Sequence, residues 1–286
     1  MTFSDLSFLY AWLEIFPMDC LQAPFMQRAF FALLLLAPMT ATLGVQVVNA
    51  RMSFFSDAIS HSAFAGVALG LLLGVSPQVS MPLFGVLVGL GIMAVQRGSS
   101  LPPDTVIGVF FSGTVAFGLA VVSRERAVAR DVQQFLYGDI LAISQADIVW
   151  LLLLFLALAV FQAAAFNSMI SLALNPQVAR AHGVRAAACQ YSFAALLALV
   201  VMFSVQAVGV LLVTALLIVP AAAARNMARS AGGMFWWAAL SGACSALGGL
   251  LLSTWDWPGT ASGATIILCS CAWFCVSMLF RPRRGA

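Results

Sequence analysis

The feature that most narrows what this chain can fold into is a succession of long apolar runs. They fall at about 25–47, 57–74, 79–95, 105–122, 147–166, 187–205, 208–224, 234–253 and 262–280, each 17 residues or longer. A helix rises about 1.5 Å per residue, so such a run is long enough to cross most or all of roughly 30 Å of hydrocarbon, where the backbone must satisfy its own hydrogen bonds. Barrel strands would alternate polar and apolar residues over about 10 positions, whereas these runs carry Leu, Ala and Gly on all sides. With 8% charged residues and a mean hydropathy of +1.03, a water-soluble core is excluded. The expectation is an all-α, polytopic helical membrane protein with about 8–10 transmembrane helices in a single bundle domain.

The 13 basic residues are all arginine, and there is no lysine. A Walker A loop needs its lysine to hold the β- and γ-phosphates, so the chain cannot carry that site, and any ATP-driven work must be done on another subunit. The six cysteines have no scaffold spacing, and three of them, Cys269, Cys271 and Cys275, lie in the last apolar run. A disulfide framework is not expected. Cys271 and Cys275 share a helix face, but thiols in an apolar span behave mainly as small hydrophobes.

Residues 1–23 carry Asp5, Glu14 and Asp19 without a basic start, and read as an interfacial lead-in with Tyr10 and Trp12 near the headgroups rather than a cleaved leader. Residues 24–280 form the membrane domain, and 281–286, RPRRGA, a basic tail. With that tail in the cytoplasm, counting back over nine spans places Arg51, Arg97, Arg180, Arg185, Arg225 and Arg229 inside as well, nine arginines against four outside. Arg124, Arg126 and Arg130 then lie outside. If the shorter apolar stretch at 132–144 also crosses, the count becomes ten and the N-terminus is inside.

The segment FFSDAISHSAFAGVALG places an aspartate and one of only two histidines at the start of an apolar run. Asp57 and His61 are separated by four residues, about 40° around a helix and roughly 6 Å along it, so their side chains can converge. A carboxylate in mid-membrane costs roughly 2.5–3.5 kcal/mol on insertion scales and normally faces a partner or a water-filled path. Asp57 alone also suits the first turn of a helix, whose dipole favours an acid there; His61, a turn deeper, gains nothing from capping. Imidazole plus carboxylate suits zinc, manganese or ferrous iron better than calcium or magnesium, and two ligands make an open site from which an ion can leave. A proton relay would use the same pair. Gly66, Gly70 and Gly74 recur every four residues behind it, a small-residue stripe expected to pack this helix against a neighbour.

In NSMISLALNPQVARAHGVRAAACQ, a polar interruption over about 167–186, Asn175 is a good N-cap, Pro176 fits the first helical position and Gly183 fits C′. A helix of about two turns is expected there, bearing Gln177, Arg180 and, beyond it, His182 as a solvated loop histidine. Such an exposed helix is either an ordinary connector or a piece that seats in a cytoplasmic partner. Gln206 is polar at the beginning of a span, and Pro220 removes a backbone hydrogen bond near its end, where a bend or local unwinding that could act as a hinge is expected.

PFMQRAFFALLLLAPMTATLGVQVVNARMSFFSDAISHSAFAGVALGLLLGVSP, LYGDILAIS, NPQVARAHGV and QAVGVLLVTALLIVPAAAAR follow in order. Together they resemble the ABC-type zinc/manganese/iron permeases, the membrane subunits of bacterial metal importers, over about residues 24–280. The resemblance implies a homodimer in the inner membrane, two cytoplasmic ATPase subunits and an extracytoplasmic metal-binding delivery protein, with no permanently bound cofactor and no nucleic-acid partner. It implies that Asp57 and His61 are the metal-coordinating pair and that the segment from Pro176 to Val184 is the ATPase-coupling helix. Where the family often has an acidic D-P-E, this chain has Asn175, Pro176 and Gln177. Asp139 in YGDI matches a recurrent position, expected at the gate or entrance of the pathway; Gln206 is a second such candidate. The implied function is import of a divalent transition metal, without enzymatic activity of its own. The alternatives are a siderophore or cobalamin permease, a proton-coupled secondary carrier, and an intramembrane enzyme using the pair as acid and base. The last has no nucleophile motif, H-E-x-x-H or paired aspartates to support it.

Overall fold

The computed structural model describes residues 22–123, 140–255 and 260–280. The described residues are helical: α1 (Pro24–Asn49), α2 (Phe55–Leu73), α3 (Pro77–Gly98), α4 (Pro103–Val122), a 3-10 turn (Ile140–Ala142), α5 (Gln145–Leu174), the short α6 (Pro176–Ala181), α7 (Ala186–Val208), α8 (Val210–Met227), α9 (Ala231–Ser253) and α10 (Ser262–Leu279). Among the described residues nine helices are long and apolar enough to cross a membrane. The lead-in, the tail, Asp139, Arg124, Arg126, Arg130 and residues 132–139 of the stretch that would make a tenth span lie outside the described residues.

Burial divides the bundle into centre and periphery. α1, α2 and α7 are the most enclosed spans, and α4, α5 and α10 the least. α2 packs on α3 and α4, α1 on α8 and α9, and α10 on α8 and α9. The helices are apolar almost all round, so it is the fit between them that selects partners when lipid is as apolar as leucine. Gly66 provides part of that fit: a Cβ there would lie 2.9 Å from Met81 Cα in α3. Gly70 lies against Ser80 in the same way. Gly74 departs from the expected stripe. It has nothing within 4 Å of a built Cβ and instead ends α2 at φ 70°, a left-handed conformation that glycine adopts without steric cost.

Two other expectations change. The loop expected over 167–186 is helical to Leu174, because the Ser171 hydroxyl donates to the Asn167 carbonyl oxygen, 2.8 Å, and α5 absorbs its polar residues within the helix. At 30 residues, α5 is roughly 45 Å long and overshoots the hydrocarbon. At Pro220, where a bend or local unwinding is expected from the sequence, α8 remains helical, and between α7 and α8 the chain leaves helical geometry at Gly209, φ 86° and ψ 162°. Buried in the core, the Gln46 amide donates to the Gln162 carbonyl oxygen, 2.6 Å, tying α1 to α5.

Candidate functional site

α2 starts just after Arg51, which closes the preceding turn at φ 56°, the one non-glycine residue among those described in the left-handed region. That conformation costs about 1–2 kcal/mol for a residue with a Cβ. Asp57 then falls in the first turn of α2 and His61 one turn deeper. Asp57 is half-buried and His61 exposed. The side chain of His61 and the hydroxyl of Thr214 of α8 lie close enough to Asp57 to interact with it electrostatically. The Thr214 hydroxyl itself donates to the Leu211 carbonyl oxygen, 3.2 Å. Phe111 of α4 holds the imidazole edge to face, with centroids 5.2 Å apart and planes at 87°.

His61 faces a cavity of about 1010 Å³. Its lining includes Phe64 of α2, Ile140, Gly209 and Leu211 at the α7–α8 break, and Thr260. Thr260 and Thr265 share a hydroxyl hydrogen bond of 2.6 Å beside it. Met26, Ile140, Val208 and Thr254 belong to the ends of their helices away from Arg51, Arg97 and Arg225, so on the arginine rule this cavity opens on the extracytoplasmic side.

No group of three or more His, Cys, Asp or Glu residues is gathered among the described residues. Asp57 and His61 thus offer two potential donors one turn apart on α2, and a tetrahedral or octahedral metal held there would need further donors from water, from neighbouring oxygens or from another chain. The cysteines Cys269, Cys271 and Cys275 are free thiols on α10 and take no part in such a group. Gln206 lies half-buried in the last turn of α7 and is not part of the cavity lining. Thr214 and Phe111 are additions that the sequence did not mark: they lie on other helices, and nothing in a local pattern links a lone threonine or phenylalanine in an apolar span to Asp57 or His61.

At the opposite end α6 forms from the residues expected of it. The Asn175 carboxamide oxygen accepts from the backbone N–H groups of Gln177, 3.0 Å, and Val178, 3.2 Å, and Pro176 opens the helix. Gly183 at φ 78° closes it, with Val184 N–H donating to the Ala179 carbonyl, 3.1 Å, and Gly183 N–H to that of Arg180, 3.0 Å. Ala179 is buried while Gln177, Val178, Arg180 and His182 are exposed, so the helix is anchored on one side and presents the other outward.

The sequence pattern of the ABC 3 transport family matches residues 22–281. The chain is 32% identical over 253 residues, 87% of its own length and 95% of the relative's, to a high-affinity zinc uptake system membrane protein of Haemophilus influenzae. It is 30% identical over 266 residues, 93% and 94% of the two chains, to a manganese transport system membrane protein of Listeria innocua. Among solved structures it resembles a chain of PsaBC from Streptococcus pneumoniae in complex with a Fab, with a TM-score of 0.78 at 28% identity over 93% of this chain and 95% of that one.

Proposed function

We infer the role of this chain from its family: it belongs to the ABC 3 transport family and is the membrane-spanning permease subunit of an ABC importer of divalent transition metals, zinc, manganese or iron. It is not an enzyme; ATP is hydrolysed on a separate subunit, in keeping with a chain that has no lysine for a Walker A loop. The observation that carries the metal reading is His61 lining the cavity on the extracytoplasmic side of the bundle, with Asp57 one turn away on the same helix.

In this reading the chain sits in a bacterial inner membrane as a homodimer. The exposed face bearing His61 supports that arrangement, since two facing copies bring together two carboxylates and two imidazoles, a donor set sufficient for a divalent transition metal. A delivery protein presents the ion at the outer cavity. The ion exchanges water for Asp57 and His61, and is released inward when the bundle closes behind it. The pair must bind more tightly in one state than in the other, because a ligand shifts an equilibrium only by its differential affinity. Thr214 is placed to contribute: it lies beside Asp57 on α8, so movement of α8 against α2 changes the surroundings of the carboxylate.

The test is elemental analysis of metal-starved cells expressing the chain with its ATPase and delivery protein, beside an ATPase-dead control. Uptake of one divalent metal that requires hydrolysis is expected; uptake persisting in the ATPase-dead cells would replace this reading with a secondary carrier.

Coupling rests on α6. Asn175→Ala removes both cap hydrogen bonds and is expected to destabilise the helix by about 1 kcal/mol. Fraying a helix of six residues should lower metal uptake severalfold while ATP hydrolysis by the complex continues, with Asn175→Asp retaining uptake. Equal loss of hydrolysis and uptake, or no loss of either, would speak against a coupling role.

A further inference from the structure

A groove crosses the cytoplasmic end of the bundle between the terminal turns of α1, α5, α8 and α9. Its two lobes, each about 470 Å³, share Asn49, Arg51, Ile170, Ala173 and Leu174. Arg225 and Arg229 line the outer lobe, with Met234 on its apolar wall. No acidic side chain lines either lobe, and the three arginines, all exposed, have no ion-pair partner among the described residues. Arg97 is different: it donates to the Gln190 carbonyl oxygen, 2.6 Å, and lies over the Tyr191 ring at 5.7 Å.

The position of the groove indicates what its charge faces. Trp236 and Trp237 follow Met234 on the first turns of α9, 72% and 38% exposed, and Phe235 between them packs against Phe166 of α5 with centroids 5.4 Å apart. Exposed tryptophans mark the headgroup level of a bilayer. The groove is thus cationic at its rim, apolar along Ile170, Ala173 and Met234, and beside the lipid boundary. α9 starts at Ala231 in the same lobe, and its dipole adds positive potential there.

We propose that this groove binds the phosphodiester headgroup of an anionic phospholipid, with Arg51, Arg225 and Arg229 on the phosphate and an acyl chain along the apolar wall. Basic pockets between helices on the cytoplasmic side are suited to such headgroups. The site requires only that the chain spans a membrane, so it stands or falls independently of which ion is carried. Cytoplasmic arginines in general would attract any anionic surface weakly; a site holds discrete lipid molecules through particular side chains.

Native mass spectrometry of the intact complex with its ATPase, exchanged against phosphatidylglycerol or phosphatidylcholine, separates the two. Phosphatidylglycerol is expected to be retained selectively. At about 1 kcal/mol per basic side chain near an anionic surface, retention should fall about fivefold for Arg225→Ala and about 25-fold for Arg225→Ala with Arg229→Ala. Lysine at both positions should keep most of it, which guards against misfolding of the alanine variants, and Arg97→Gln should not change it. Equal retention of the two lipids, or unchanged retention in the double alanine variant, overturns the proposal. So does displacement by inorganic phosphate, which would make this a site for free anions, or retention of lipid only by permease freed of its ATPase, which would make it a protein interface.

Discussion

Asp57→Ala and His61→Ala should each reduce ATP-dependent metal accumulation by at least about tenfold, with the protein still present in the membrane at its normal level. Even the outer partners of metal ligands are typically worth about 10- to 100-fold in affinity, and a ligand itself sets no smaller scale. The competing account is structural: Asp57 lies in the first turn of α2, where an acid interacts with the helix dipole for about 0.3–1 kcal/mol. Phe54 occupies the N-cap without a side-chain cap bond, and Asp57 has a polar neighbour on another helix, Thr214, which a dipole role does not require. The two accounts separate on Asp57→Asn. It keeps the size and a hydrogen-bonding oxygen but loses the charge, so a ligand role predicts loss of uptake and a first-turn role predicts near-normal uptake with a modest fall in thermal stability. Thr214→Val should lie between, with uptake reduced severalfold and restored by Thr214→Ser. Uptake that survives both alanine substitutions in folded protein would remove the pair from the pathway.

The parts of this architecture legible in the sequence are those set by local chemistry. Nine spans follow from nine apolar runs because a membrane leaves the backbone no choice but to satisfy itself. α6 follows from Asn175, Pro176 and Gly183 because caps act within a few residues of themselves. The convergence of Asp57 and His61 follows from helical spacing alone. What was not legible depends on distant partners. Thr214 meets Asp57 across 157 positions, and Gln46 meets Gln162 across 116. The division between α7 and α8 was legible from the apolar runs, but not its means: the chain turns at Gly209 with a positive φ, while α8 stays helical through Pro220, as a membrane helix can when its neighbours accommodate the missing N–H. Gly74 belonged by spacing to the stripe of Gly66 and Gly70, but α2 ends there and no neighbour approaches it.

Gly44 illustrates the same limit most severely and should be the least replaceable glycine of the bundle. It sits in the last two turns of α1, the most enclosed span, with no sequence motif to distinguish it from the glycines of other runs. A Cβ built on it would coincide with the Leu217 carbonyl oxygen of α8 and lie 3.2 Å from the Ala221 side chain. The obstacle is backbone rather than the tip of a flexible side chain, so no rotamer change relieves it; α1 and α8 must separate, and the contacts of both helices with α9 shift with them. Overpacking a close-packed site costs typically about 1–3 kcal/mol and occasionally more, and a backbone obstacle between two central helices belongs at the upper end. Gly44→Ala is therefore expected to lower the unfolding temperature in detergent by many degrees and to reduce yield, and Gly44→Leu to abolish assembly. Gly248→Ala provides the comparison, because its Cβ meets nothing within 4 Å and alanine improves helix propensity by up to about 1 kcal/mol. A Gly44→Ala protein as stable as the Gly248→Ala protein would mean that α1 and α8 do not approach this closely. Because α8 also carries Thr214, a partial separation in Gly44→Ala should weaken metal uptake even in the fraction that folds.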